Sequence, residues 1–361
     1  MKFVSCISTS ELKSKCLRKD MRGVDICACV KFIFFINKLQ KIIILPIGNC
    51  HFYSVMSSSE RRPAGGPRKI PEKLPEIETI QYGEKLGQGH FSEVYEGVYK
   101  NEFPVAIKVI ERGSDHLIST EIQLLQDLRG LPHIVQLYEV IHKENTVLVF
   151  ELVKSLDTDD FFDELTPKRL KFCLKALCTA LQAAHRKGVV HRDIKLENVM
   201  ISEDFSDLKV IDWGCGTYIT DSMSPKAGSR TVRSPEMLLG YRGYGSAGDC
   251  WAVGAFIYDV LTDGRIPWKA KSSPEALGKM STIFGGSALF GLAKKLDIDV
   301  DEQAAALMNH HAKHTIDSFF SEDCSDLVDD NLVDLMHHLL EIDPSKRYTM
   351  DQALGHPYFT S

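Results

Sequence analysis

A change of hydrophobic period along the chain constrains its fold more than any other feature. Residues 80–110 alternate apolar and polar side chains in short runs punctuated by Gly87, Gly89 and Gly97, the pattern of an antiparallel meander. Residues 115–129 switch to helical spacing: Leu117, Ile118, Ile122, Leu125 and Leu128 share one face, and Gly130 closes the segment. Strand-like runs return at 134–141 and 146–153, and helical spacing dominates thereafter. The clearest helix opens at Thr166-Pro167, aligns Leu170, Cys173, Leu174, Leu177, Leu181 and Ala184, and stops at Gly188. The expected architecture is α+β, with a small antiparallel-sheet lobe carrying one main helix ahead of a larger, mostly helical lobe. No internal repeat interrupts that order.

Composition agrees with a large globular core. The 361 residues are 44% hydrophobic and 25% charged, which excludes a collagen, a coiled-coil rod and wholesale disorder. A net charge of -6 argues against nucleic acid as a partner. Residues 1–56 differ from the rest. They carry nine Lys or Arg against Glu11, Asp20 and Asp25, and hold five of the ten cysteines. The runs Val30–Ile36 and Ile42–Ile47 fall short of the ~20 apolar residues of a membrane span, and no signal-peptide cleavage site follows them. No membrane partner is therefore expected, and the cytoplasm or nucleus is the expected location. Cys27-Ala-Cys29 lacks a second Cys/His pair at zinc spacing, and ten cysteines in so long a chain do not make a disulfide scaffold. Met56 opens Ser-Ser-Ser-Glu much as an ordinary protein start does. Residues 1–56 are expected to be a poorly ordered extension and residues 57–79, rich in Ser, Pro, Gly and charge, a flexible linker.

The chemistry is concentrated in short segments. Gly87-Gln88-Gly89-His90-Phe91-Ser92 lies between two predicted strands, where glycines let backbone N–H groups approach phosphates; alone it reads equally as a hairpin turn. Lys108, on the following strand, is either a solvated edge charge or the partner of Glu121 on the next helix. His191-Arg192-Asp193-Ile194-Lys195-Leu196-Glu197-Asn198 follows the long helix, and Asp212-Trp213-Gly214 comes fourteen positions after Asn198. These supply a base, a phosphate-facing lysine and two oxygen ligands for magnesium. Ser234-Pro235-Glu236, Asp249-Cys250-Trp251 and a late Arg347 complete the series.

In this order the segments resemble the protein-kinase pattern over residues 80–359, which implies a bilobal fold with lobes at about 80–150 and 154–359. The resemblance implies ATP and Mg²⁺ as cofactors and a role for each site. Lys108, paired with Glu121, contacts phosphates, Asp193 orients or deprotonates the substrate hydroxyl beside Lys195, and Asn198 and Asp212 hold Mg²⁺. Leu86, Gly87, Gln88, Gly89, His90, Phe91 and Ser92 cover the nucleotide. Val94, Ala106, Met200 and Ile211 sandwich the base, with Phe150 behind it and Glu151 to Val153 as the hinge. Glu236 and Arg347 form a buried ion pair, and Asp249 braces the catalytic loop.

Within the kinases the chain most resembles the catalytic subunit of casein kinase two. The matching stretches are LGQGHFSEVYEG, LRGLPHIV, VFELV, NVMI, IDWG, the arginines flanking Thr231-Val232, a long insert from about 280 to 325 and HPYF. That resemblance implies transfer to Ser or Thr in acidic contexts, with Lys226, Arg230 and Arg233 cradling the residues after the phosphoacceptor. The alternative is that Arg233 anchors the loop. Three departures stand beside it. Ser114 to Thr120 holds no Lys or Arg, residues 62–80 lack the family's aromatic N-terminal segment, and the turn between the strands near 141 and 147 is short. A regulatory subunit and constitutive activity, both properties of that family, thus remain open. A cyclin-dependent or cell-division-cycle-seven type of kinase is the rival within the class, and a pseudokinase scaffold the rival outside it. Cys215 alone among the cysteines sits where it bears on chemistry. His310, His311, His314, His337 and His338 have no matching carboxylate or cysteine at metal-ligand spacing and read as exposed or helix-surface histidines.

Overall fold

The computed structural model describes residues 32–36, 42–46, 74–89, 92–111 and 115–360, and the chain divides into two units, residues 1–66 and 67–361. In the first, β1 (Phe32–Ile36) pairs antiparallel with β2 (Ile42–Pro46), Phe34 opposite Ile44. The other residues of the expected extension, and the expected linker as far as residue 73, lie outside the described residues. Leu74 and Ile77, from the end of that linker stretch, pack on the small hydrophobic core of the second unit.

The second unit opens with a five-stranded antiparallel sheet in the order β3-β4-β5-β7-β6. Its strands are β3 (Ile80–Gln88), β4 (Ser92–Tyr99), β5 (Phe103–Ile110), β6 (Leu137–His142) and β7 (Thr146–Glu151). Sequence alternation places Val105, Ile107 and Val109 on one face of β5, where they bury with Tyr95, Val147 and Val149. Gly97 is required where β3 and β4 close together: a Cβ there would lie 2.5 Å from the Gln81 carbonyl oxygen and 2.3 Å from Ile107 Cδ1. Lys100 and Asn101 both take positive φ, the backbone of a tight hairpin whose twist suits the β4–β5 pair.

Helix α1 (Asp115–Asp127) crosses between β5 and β6 in sequence and buries Leu124, Leu125 and, just past its end, Leu128. Leu117 departs from the expected face. It is 59% exposed.

The larger lobe is helical. Its helices are α2 (Thr158–Glu164), α3 (Pro167–Arg186), α4 (Pro235–Leu238), α5 (Ala247–Leu261), α6 (Ser273–Phe284), α7 (Gly286–Lys295), α8 (Glu302–Met308), α9 (Asp330–Leu339), α10 (Met350–Leu354) and α11 (Pro357–Thr360). The Thr166 hydroxyl accepts from the Arg169 N–H and caps α3, with Pro167 in its first turn, and the predicted apolar face is buried. Helix α5 is buried almost all round and forms the lobe's centre. The stretch near 280–325 folds largely into α6, α7, α8 and short 3₁₀ turns. Two small antiparallel pairs flank the segments expected to be catalytic: β8 (Val189–Val190) with β11 (Thr217–Tyr218), and β9 (Val199–Ile201) with β10 (Leu208–Val210). Among the described residues, no helix is long and apolar enough to cross a membrane.

Deep in this lobe the expected Glu236–Arg347 pair is fully buried and bidentate, with N–O distances of 2.8 and 2.9 Å. Arg347 also donates to the carbonyls of Ala247, Glu341 and Ile342, so the guanidinium is satisfied inside the protein. Glu236→Ala would leave that cation buried without its partner, an expected loss of about 3–5 kcal/mol in unfolding free energy by urea denaturation. A loss below about 1 kcal/mol would show that the pair is not needed for the fold.

Candidate active site

The catalytic loop is held from beneath by one carboxylate. Asp249, in the first turn of α5, accepts the N–H groups of His191 and Arg192 at 2.8 Å each and the His185 imidazole at 3.0 Å. Burial opposes its ionisation, yet the His185 hydrogen bond and the nearby donors hold its carboxyl below the usual range. The brace matters because Arg192 takes φ +70, a costly backbone for a non-glycine residue. His191 adds a second tie through its Nε2 to the Ile211 carbonyl at 2.9 Å.

Asp193 follows on that loop with its carboxylate occupied on both sides. Oδ1 accepts the Ser229 N–H at 2.7 Å, and Oδ2 lies 3.2 Å from Asn198 Nδ2 and 3.4 Å from Lys195 Nζ. Lys195 in turn reaches the Ser229 hydroxyl at 3.1 Å. Asn198 Nδ2 also donates to the Asp193 carbonyl at 2.8 Å, which orients the amide and leaves its oxygen available.

Across the cleft, Lys108 on β5 meets Glu121 on α1 at 2.6 Å and Asp212 at 3.3 Å. Burial works against the ammonium, but the Glu121 and Asp212 carboxylates more than offset it and hold the Lys108 pKa above its ordinary value. Burial likewise disfavours the Asp212 carboxylate, while Lys108 and His191 keep its pKa low. Asp212 is itself in the left-handed region, at φ 54 and ψ 67.

Between the sheet and these loops lies a cavity of about 380 Å³. Leu86, Gly87, Gln88, Gly89, Ser92, Val94, Ala106 and Lys108 line it from β3 to β5, with Glu121 from α1. Phe150, Glu151 and Val153 line it from the hinge, and Asn198, Met200, Ile211 and Asp212 from below. His90 and Phe91 lie outside the described residues. Asp193 and Lys195 do not line the cavity; Asp193 is joined to it through Asn198, and Lys195 through Asp193. Leu152, inside the expected hinge, lines the cavity too, while sequence reasoning missed Leu125, Val135, Glu197 and Trp213 as cavity residues. All four stand in segments it used, so the signal was the neighbouring motif rather than the residue.

The three cations of the expected cradle have different surroundings. Arg233 donates to the carbonyls of Lys226, Ala227 and Gly228 at 2.6–2.9 Å, so its fork is engaged in folding the loop. Arg230 donates to the Ala270 carbonyl at 3.1 Å, and its buried Nε has no partner. Lys226 is exposed. Gly228, which sequence reasoning also missed, has φ +67, and a Cβ there would lie 2.0 Å from the Arg192 carbonyl oxygen. Only glycine lets this segment lie against the catalytic loop. Arg192 closes the assembly by donating to the Cys215 carbonyl at 2.6 Å and to the Tyr244 hydroxyl at 3.2 Å.

Several conspicuous groups have no such part. Burial pushes the Cys215 thiol up, away from the thiolate a reactive cysteine needs. His337 is exposed and His338 part-exposed, each beside one carboxylate, Asp317 at 3.1 Å and Asp334 at 3.8 Å. Among the described residues, no group of three or more His, Cys, Asp or Glu is arranged to hold a metal ion.

Asp259, on α5 beneath the catalytic loop, is half-buried. Burial, with the nearby Glu197 charge, pushes its carboxyl from 3.8 up to about 6. A raised carboxyl pKa means that the folded state binds the proton more tightly, so the associated stability is present below about pH 3.8 and is lost as pH rises through about 6. Asp259→Asn should therefore raise the melting temperature at pH 7.5 by about 2–4 °C, with the gain vanishing near pH 4. A gain equal at both pH values would contradict the assignment.

Comparison with protein-family models matches the protein kinase domain over residues 80–359. The lysine–glutamate pair, the braced catalytic loop and the cleft between a five-stranded sheet and a helical lobe fall within that match, and the chain belongs to the protein kinase family.

Proposed function

We propose that this protein kinase transfers the γ-phosphoryl of ATP to serine or threonine, in sequences with acidic residues after the acceptor, as the likeness to casein kinase two implies. The observation that carries the catalytic reading is the Lys108 ammonium held 2.6 Å from Glu121 and 3.3 Å from Asp212 at the wall of the cavity. A loose phosphoryl-transfer transition state needs positioning and charge neutralisation, and a cation fixed in advance supplies both without reorganising.

The donor set suits Mg²⁺. Asn198 keeps its amide oxygen available because its nitrogen is engaged by Asp193, and Asp212 is held ionised, so two hard oxygen donors face the cavity. Asn198 and Asp212 would hold the ion, which when bound neutralises charge on the phosphate oxygens. Asp193 orients the acceptor hydroxyl and takes its proton. Lys195, between Asp193 and Ser229, balances the negative charge that gathers there.

The contacts of Arg192 and Arg233 support a segment already in place without a phosphate on it, since both guanidinium groups are bonded to backbone carbonyls. Acidic preference then rests on the charges of part-exposed Arg230, which spends one bond on the Ala270 carbonyl, and of exposed Lys226.

Lys108→Ala, Asp193→Asn and Asp212→Asn should each lower kcat by about 10²–10³-fold or more in a Mg-ATP transfer assay, with the fold intact by circular dichroism. Normal turnover by Asp212→Asn would remove the magnesium assignment. On peptides, Ser followed by Asp or Glu should be preferred to Ser followed by Lys or Arg at low salt. Arg230→Glu should lower kcat/KM on the acidic peptide by about 5- to 30-fold with the KM for ATP unchanged. Equal turnover of both peptides by the wild type would overturn the acidic preference and leave the kinase reading intact.

A further inference from the structure

We propose that Tyr218 and Asp127 form a positioning latch that keeps Glu121 on Lys108. The Tyr218 hydroxyl donates to Asp127 Oδ2 at 2.5 Å, joining residues 91 positions apart. Asp127 is the last residue of α1, the helix that carries Glu121, and its other oxygen accepts from Gln123 Nε2 at 3.0 Å. Tyr218 lies on β11, paired with Val189 on β8, and β8 runs directly into His191 and the catalytic loop. The bond therefore ties the C-terminal end of α1 to the strand pair from which the catalytic loop emerges.

The rest of the contact between α1 and this segment is close but not directional. A Cβ on Gly216 would lie 3.0 Å from Leu124 Cδ1, and one on Gly214 would lie 3.4 Å from Glu121 Oε2. Such packing tolerates sliding and rotation of the helix, whereas a hydroxyl–carboxylate bond fixes both distance and direction. Burial and the neighbouring Asp127 raise the phenol to about 12, so Tyr218 remains a donor at any working pH. Neither residue touches the cavity, so both act through Glu121 and are positioning residues.

The inference rests on the role proposed above for Lys108 and Glu121, and its test keeps the two apart. In the full chain, Tyr218→Phe should lower kcat/KM for ATP by about 5-fold, with the KM for peptide unchanged and the melting temperature within about 2 °C of wild type. Asp127→Asn, which keeps an acceptor, should retain most activity, whereas Asp127→Ala should match Tyr218→Phe. The double variant Tyr218→Phe/Asp127→Ala should be no worse than either single variant. Hydrogen exchange of the α1 amides should quicken in Tyr218→Phe. Wild-type kinetics in Tyr218→Phe, or single effects that multiply in the double variant, would overturn the latch. Glu121→Gln is the parallel control. If it cripples transfer while Tyr218→Phe does not, the latch alone fails. If it too has wild-type activity, the role of the Lys108–Glu121 pair fails and the latch with it.

Discussion

The site depends on keeping one ammonium charged in a place from which water is largely excluded. Lys108 sits at the cleft wall, where burial alone would drive off its proton, and it stays charged because Glu121 and Asp212 stand at 2.6 and 3.3 Å. Those three residues come from a strand, a helix and the turn after β10. Their meeting requires the sheet, α1 and the helical lobe to be in register at once. Loss of both carboxylates would leave a desolvated cation, so the geometry is enforced by the cost of the alternative.

The remaining buried polar groups extend the same logic outward. Asp249 holds two backbone N–H groups of the catalytic loop in a conformation that Arg192 would otherwise avoid. Arg347 and Glu236 fix the segment that follows the loop, and Gly228 lets that segment lie against the Arg192 carbonyl. Each is a charge or a close approach deep in the structure with its partners supplied, which fixes the walls of the cleft.

Much of this was legible in the sequence, because it is local. Alternation and helical period gave the two lobes, and short runs such as His191–Asn198 and Asp212-Trp213-Gly214 gave the residues that converge on the cavity. What escaped was set by long-range geometry. Leu117 fits the helical period but is exposed, and Val135 lines the cleft although no local pattern marks it. Letters alone left the roles of Arg233 and Arg230 as alternatives; the structure shows Arg233 bonded to three loop carbonyls and Arg230 to one, that of Ala270. The Tyr218–Asp127 bond joins distant residues and has no pattern in either neighbourhood.

The central claim is that this cleft transfers a phosphoryl group with the help of an oxygen-ligated divalent ion. It is tested most directly by incubating the full chain with ATP labelled at the γ-phosphate and casein, and counting label in the protein with Mg²⁺ present and with the ion chelated. The account predicts label on serine or threonine with Mg²⁺ and none without it. Folded protein that binds ATP and Mg²⁺ yet transfers no label would contradict it.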